Sequence, residues 1–139
     1  MSVSQTWTDI TGLTLAITPV ATSSKILLFA TINGMGTAGT TRLITRFMRD
    51  TTAISVGAAA SNRPLASFGK LYDGGGRSLK STSGTFLDSP SSTSALTYKI
   101  QGYSTESAAT VYVNRSQTDS DDASYERTVS SITALEVLA

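Results

Sequence analysis

The sequence predicts an all-β domain built as a two-sheet sandwich or a barrel. Apolar side chains recur with a period of two in one run after another, the pattern of half-buried strands rather than of helices. Ser, Thr and Ala dominate while Glu and Lys are scarce, the reverse of what the polar faces of amphipathic helices require. About eight such runs are separated by turn residues, with no helical stretch, internal repeat or linker between them. At 139 residues the chain has room for one domain with one core. The expected division is a short N-terminal arm over residues 1–11 and a single sandwich over residues 12–139.

The first strand is expected over residues 12–19, where Leu13, Leu15 and Ile17 alternate with smaller residues and Pro19 ends the ladder. After a turn, residues 25–32 place Ile26, Leu28, Ala30 and Ile32 on one face and Leu27 and Phe29, with Thr31, on the other. Such a strand is apolar on both sides, so one face suits the core and the other needs a cover. A glycine-rich connection over residues 33–39 leads to a second long strand over residues 42–49, with Leu43 and Phe47 opposite Ile44 and Met48. Residues 51–60 read as a weak strand. Residues 62–79, with Pro64 and the triplet Gly74-Gly75-Gly76, read as a long exposed loop. A short apolar piece at Phe86 and Leu87 ends in a turn at Pro90.

The clearest alternation lies over residues 95–101, with Leu96, Tyr98 and Ile100 facing in and Thr97, Lys99 and Gln101 facing out. Residues 110–114 form another strand, Val111 and Val113 opposite Tyr112, followed by a polar acidic loop over residues 117–124. The last strand, residues 128–138, has Ile132, Ala134 and Leu138 on one face and Leu135 and Val137 on the other. Being apolar on both sides, it is expected inside a sheet.

Composition narrows the chemistry. The chain has no Cys and no His, which removes disulfides, thiolate sites, thiol catalysis, the commonest general base and the commonest metal ligand. The net charge is +1 without long like-charged runs, so there is no electrostatic footprint for nucleic acid or anionic membrane. Neither a cleaved signal nor a run of about 20 apolar residues is present, so membrane insertion is not expected.

Several blocks carry a resemblance. Gly12-Leu13-Thr14-Leu15-Ala16-Ile17-Thr18-Pro19 followed by Ser23-Ser24-Lys25-Ile26-Leu27-Leu28 resembles the opening of a domain common in phage tail-fibre proteins, marine phages and cyanophages especially. Leu87-Asp88-Ser89-Pro90, Thr93-Ser94-Ala95-Leu96-Thr97-Tyr98-Lys99-Ile100-Gln101, Thr110-Val111-Tyr112-Val113-Asn114-Arg115-Ser116 and Arg127-Thr128-Val129-Ser130-Ser131-Ile132-Thr133 resemble its later blocks in order. The resemblance implies a two-sheet antiparallel jelly roll of the tumour-necrosis-factor and C1q kind, in which three subunits pack about a threefold axis and the last strand runs through the inner sheet. It implies a virion structural protein made in the host cytoplasm: a tail-fibre or receptor-binding head that binds itself, other virion proteins and a host surface glycan or protein. With no Cys, no His and no motif that places a nucleophile beside a base, neither enzymatic activity nor a cofactor is expected. A capsid decoration (cement) protein of the same fold is the alternative, and a carbohydrate-active enzyme or free lectin a third reading.

For host contact the expected residues are Tyr72, Asp73, Arg77, Asp119, Asp121 and Tyr125, which combine rings, a guanidinium and carboxylates on polar loops. For the trimer interface they are Leu27, Phe29, Leu135 and Val137, with Tyr112 as a further member. Asp119, Asp121 and Asp122 offer oxygen ligands of the sort Ca²⁺ takes, but their spacing does not match an EF-hand loop, and no metal is expected. The run Gly74-Gly75-Gly76-Arg77 lacks the following helix that phosphate cradling needs. Asp88 with Glu106 is a conceivable acid and base pair for glycoside hydrolysis, which requires the two carboxyls about 5 to 10 Å apart. Tyr103 and Trp7 carry two readings each, since aromatic rings stack on sugars and anchor protein contacts yet also fill cores, and Trp7 equally suits packing over the sandwich or docking onto a neighbouring virion protein.

Overall fold

The computed structural model describes residues 2–3, 5–36, 41–106 and 109–138. Ten strands run in chain order: β1 (Ser2–Val3), β2 (Thr8–Ile17), β3 (Lys25–Gly36), β4 (Leu43–Arg49), β5 (Thr52–Ile54), β6 (Phe68–Leu71), β7 (Lys80–Asp88), β8 (Leu96–Ser104), β9 (Ala109–Val113) and β10 (Ser131–Val137). There is no helix among the described residues. The pairings are antiparallel.

In the first sheet β3 is central, with β7 along one side and β10 followed by β9 along the other, β1 lying beyond β9. In the second, β8 lies between β2 and β4, and β5 and β6 share the far side of β4. The chain crosses between sheets from β1 to β2, β2 to β3, β3 to β4, β6 to β7, β7 to β8 and β8 to β9. This is a two-sheet jelly-roll sandwich. Its core interleaves Ile26, Leu28 and Ile32 of the first sheet with Leu43, Phe47, Tyr98 and Ile100 of the second. The alternation expected for β3 and β8 is what the burial follows: the even residues of β3 from Ile26 to Ile32 are buried, as are Leu96, Tyr98 and Ile100 of β8; in β9 only Val111 is buried, Tyr112 and Val113 both being half-buried.

Several elements depart from the sequence reading. Strand β3 runs on to Gly36, through half of the expected glycine-rich connection, because β7 and β9 pair with it there. Strand β2 begins at Thr8, ahead of the start expected at Gly12, and its register against β8 shifts between Asp9 and Thr14. Gly12 takes a left-handed φ of 85° in that shift, which lets Ile10 and Leu13 both reach the core despite their odd spacing. Strand β6 lies inside the segment expected to be loop. Phe68 and Leu71 are buried three residues apart because the register against β4 slips, so no period of two marks the strand. Strand β7 is longer than the apolar piece at its end, since its first part is Ser, Thr and Gly. Gly84 is required there: a Cβ would come 2.7 Å from Phe68 Cε1. Finally, β10 was expected inside a sheet, yet among the described residues it pairs only with β3. Its inward side chains Ile132 and Ala134 are therefore half-buried rather than enclosed.

A polar clasp joins the two sheets at one end. Arg49 Nη1 donates to both carboxylate oxygens of Asp88 at 2.9 Å, and the Tyr98 hydroxyl donates to Oδ2 at 2.6 Å. Asp88 belongs to the first sheet, Arg49 and Tyr98 to adjacent strands of the second, where they pair in register. Burial, then the hydrogen bond to Asp88, pushes the Tyr98 hydroxyl pKa upward, so this phenol stays a donor. Removing the hydroxyl by Tyr98→Phe deprives a buried carboxylate of a charge-assisted bond and should cost about 1.5–3 kcal/mol in chemical denaturation. A change within experimental error would mean that the clasp does not hold the sheets.

Candidate functional site

Strand direction gathers the long loops at one end of the sandwich. The second half of β3, the start of β4, the end of β6, the start of β7 and the ends of β8 and β9 meet there. The β6–β7 loop, residues 72–79, therefore projects from this end, and the β9–β10 loop, residues 114–130, leaves the edge of the first sheet beside it, level with Asn33. Leu79 N donates to Glu126 Oε1 at 3.0 Å, a bridge between the two loops that holds the Glu126 carboxyl below its ordinary pKa.

Each loop is fixed locally. Asp73 Oδ2 accepts from Arg77 N at 2.9 Å and Ser78 N at 3.0 Å, and Gly76, at φ 69°, closes the turn through its N donating to Asp73 O. The β9–β10 loop is pinched at its root. Asn114, at φ 65°, donates its N to Asn33 O and accepts from Ser130 Oγ at its Oδ1. Ser130 Oγ accepts from Asn33 N, and Asn33 Nδ2 donates to Val129 O. Arg115 pairs with Arg127 across the same neck.

The six residues expected to contact a host lie on these loops, in different states. Tyr72 is 38% exposed and carries the Arg42 guanidinium 4.8 Å from its ring centre. Arg77 and Asp121 are exposed and Tyr125 is half-buried. Asp73 is turned inward on its own loop. Asp119 is held by Arg127 through a two-pronged pair at 3.1 and 2.9 Å, with Arg115 at 3.8 Å. A shallow depression of about 430 Å³ is lined by Asp119, Asp121, Asp122, Tyr125 and Arg127. Sequence reasoning missed Arg42, Glu126 and Arg127 at this end, because each is engaged by a residue distant in sequence or across a loop.

Metal binding does not gain from this arrangement. Both oxygens of Asp119 face guanidinium groups, and Asp122 Oδ1 accepts from Ser124 N at 2.8 Å. No group of three or more Asp or Glu side chains among the described residues is arranged to hold an ion. The pairing of Asp88 with Glu106 fails on distance. Asp88 is bound to Tyr98, whereas Glu106 lies beside Ser104 at the other end of β8, about 20 Å along the strand, twice the separation that glycoside hydrolysis uses.

On the outward face of the first sheet, Leu27 lies opposite Leu135 of β10 on one side and Leu87 of β7 on the other. Phe29 follows on the same face of β3, and Val137 lies opposite Lys25. Leu135 is 53% exposed, Leu87 45%, Phe29 40% and Val137 40%. Four of the five expected interface residues thus form one patch. The sequence reading missed Leu87, whose partner across the strand was not visible. Tyr112 has the same facing but lies opposite Met35, about 20 Å from Phe29 along β3, where Met35 is already buried within the chain. Its ring carries the Arg115 guanidinium at 4.6 Å, apart from the patch.

Backbone donors from Ser78 and Arg77 favour the ionised form of Asp73 and lower its pKa. A depressed carboxyl contributes in full above its unfolded value and loses that contribution as pH falls through the folded one. The Arg77 and Ser78 amide resonances should therefore hold steady down to about pH 4 and then move with a midpoint below 3.8; a midpoint above that value would contradict the turn geometry. No protein-family model matches the chain, and no curated protein matches its sequence.

Proposed function

We propose that the chain is a virion structural protein of the phage tail-fibre head kind, assembled as a homotrimer through the outward face of the first sheet and touching the host surface with its loop end. The apolar patch of exposed Phe29, Leu87, Leu135 and Val137 around half-buried Leu27 supports this reading most directly. Solvated faces of antiparallel sheets are ordinarily polar, and a contiguous apolar area marks a contact surface. If a neighbour covers several hundred Å² here, the roughly 25 cal/mol per Å² of buried apolar area yields several kcal/mol against the entropy of association. A cyclic contact also closes on itself and leaves no free copy of the patch.

The loop end supports the second half of the proposal. It lies away from the patch along β3, and it presents Tyr72, Arg77 and Tyr125 from loops held by a rigid scaffold. Nothing in this role needs a cofactor, an enzymatic step, nucleic acid or membrane insertion.

Light scattering on the purified chain should give three times the 14.5 kDa subunit mass, and Phe29→Asp should shift it to monomer or aggregate. A stable monomer at micromolar concentration would refute the trimer. Particles carrying Tyr72→Ala, Arg77→Ala and Tyr125→Ala together should lose adsorption to the host while the protein's Tm stays within a degree or two. Undiminished adsorption would overturn the host-contact role, and electron microscopy of labelled particles would then look for the chain on the capsid.

A further inference from the structure

The outward face of the second sheet carries a constellation that neither the loop end nor the apolar patch uses. Arg46 of β4, Gln101 of β8 and Asp9 of β2 stand in one row across three strands. Arg46 Nε and Nη2 donate to Gln101 Oε1 at 3.1 and 2.8 Å. Gln101 Nε2 donates to Asp9 Oδ1 at 2.7 Å, and Lys99 Nζ donates to Asp9 Oδ2 at 2.7 Å. Beside this row the Arg46 guanidinium lies 4.1 Å from the Trp7 ring centre. Trp7 in turn meets Tyr103 with ring centres 5.2 Å apart at a 45° tilt. Asp9 is exposed, and Trp7, Tyr103, Arg46, Lys99 and Gln101 are half-buried, so the whole row reaches solvent.

These side chains are fixed by one another yet not used up. Arg46 retains Nη1, Gln101 a second amide hydrogen, Lys99 further ammonium hydrogens and Asp9 free lone pairs. The result is a line of alternating donors and acceptors held beside two aromatic rings, its rotamer entropy already lost before any ligand arrives. A sugar ring is the chemical complement: an apolar C–H face that stacks on an aromatic ring, rimmed by hydroxyls that both donate and accept. A polyanion is not, because the Asp9 carboxylate stands within the row and the net charge of the chain is only +1. We propose that Trp7, Tyr103, Arg46, Gln101 and Asp9 form a binding platform for a neutral glycan. The inference rests on neither the virion reading nor the trimer.

The same contacts also pin the segment ahead of β2, where Gln5 Nε2 donates to Thr105 O, so the test needs a readout that pinning alone would not move. Trp7 is the single Trp of the chain, and its emission reports on the platform directly. Titration of the intact protein with maltoheptaose, cellohexaose and chitohexaose should give a saturable emission change for at least one, with a Kd of about 1 mM or tighter. Gln101→Ala should weaken that binding about tenfold, as loss of one hydrogen-bonding partner does, and Tyr103→Ala should weaken it further. Asp9→Asn, which keeps the shape of the side chain, covers the case in which those two fail to fold. No saturable change with any of the three oligosaccharides would overturn the platform, as would a change that the variants leave intact or a response confined to heparin. Any of these results would leave the trimer mass and the adsorption result as they stand.

Discussion

Strand β3 has apolar side chains on both faces, and a two-sheet sandwich can enclose only one of them. Ile26, Leu28, Ala30 and Ile32 enter the core, which turns Leu27 and Phe29 outward by the strict two-residue period of the pleat. The neighbours follow suit: register sets Leu135 and Leu87 to either side of Leu27. A slip of one residue would take three large aliphatic groups, Ile26, Leu28 and Ile32, out of the core, so the register is strongly determined and the outward patch is its consequence.

The rest of the scaffold serves the two ends of that strand. At one end the Arg49, Asp88 and Tyr98 clasp joins the sheets through a carboxylate whose oxygens are all satisfied, so a buried charge is tolerated where an unpaired one would be costly. At the other end the chain is released into long loops, and these are tied by short-range bonds: Asp73 to its own turn, Asn114 and Ser130 to Asn33, Glu126 to Leu79. Long loops with their roots closed in this way present side chains in few conformations, which is what recognition from a rigid frame requires.

Much of the fold was legible because strands with one buried face write their period into the sequence. Leu96, Tyr98 and Ile100 announced β8, and Leu27 and Phe29 announced the outward patch. What escaped did so for local physical reasons. Strand β6 was hidden by a register shift that set Phe68 and Leu71 three apart, and the start of β7 by side chains kept small, Gly84 being squeezed beneath Phe68. The edge position of β10 was not legible at all, since pairing partners depend on contacts distant in sequence. Among the candidate residues, loop membership was readable but engagement was not: Asp119 looked free and is held by Arg127, while the row from Arg46 to Lys99 joins residues up to 92 positions apart. No local pattern encodes a network of that kind.

The central claim is that the outward face around Leu27 is covered in the functional assembly, and the absence of native Cys allows a direct measurement. Single cysteines introduced by Leu135→Cys, on that face, and by Thr14→Cys, an exposed position of β2 in the other sheet, can be reacted with a maleimide under native conditions. The account predicts that the cysteine at position 135 is protected at concentrations where the protein assembles and becomes reactive on dilution or in the Phe29→Asp background, while the one at position 14 reacts fully throughout. Equal and immediate labelling at both positions would show that the face stands open to water, and would contradict the account.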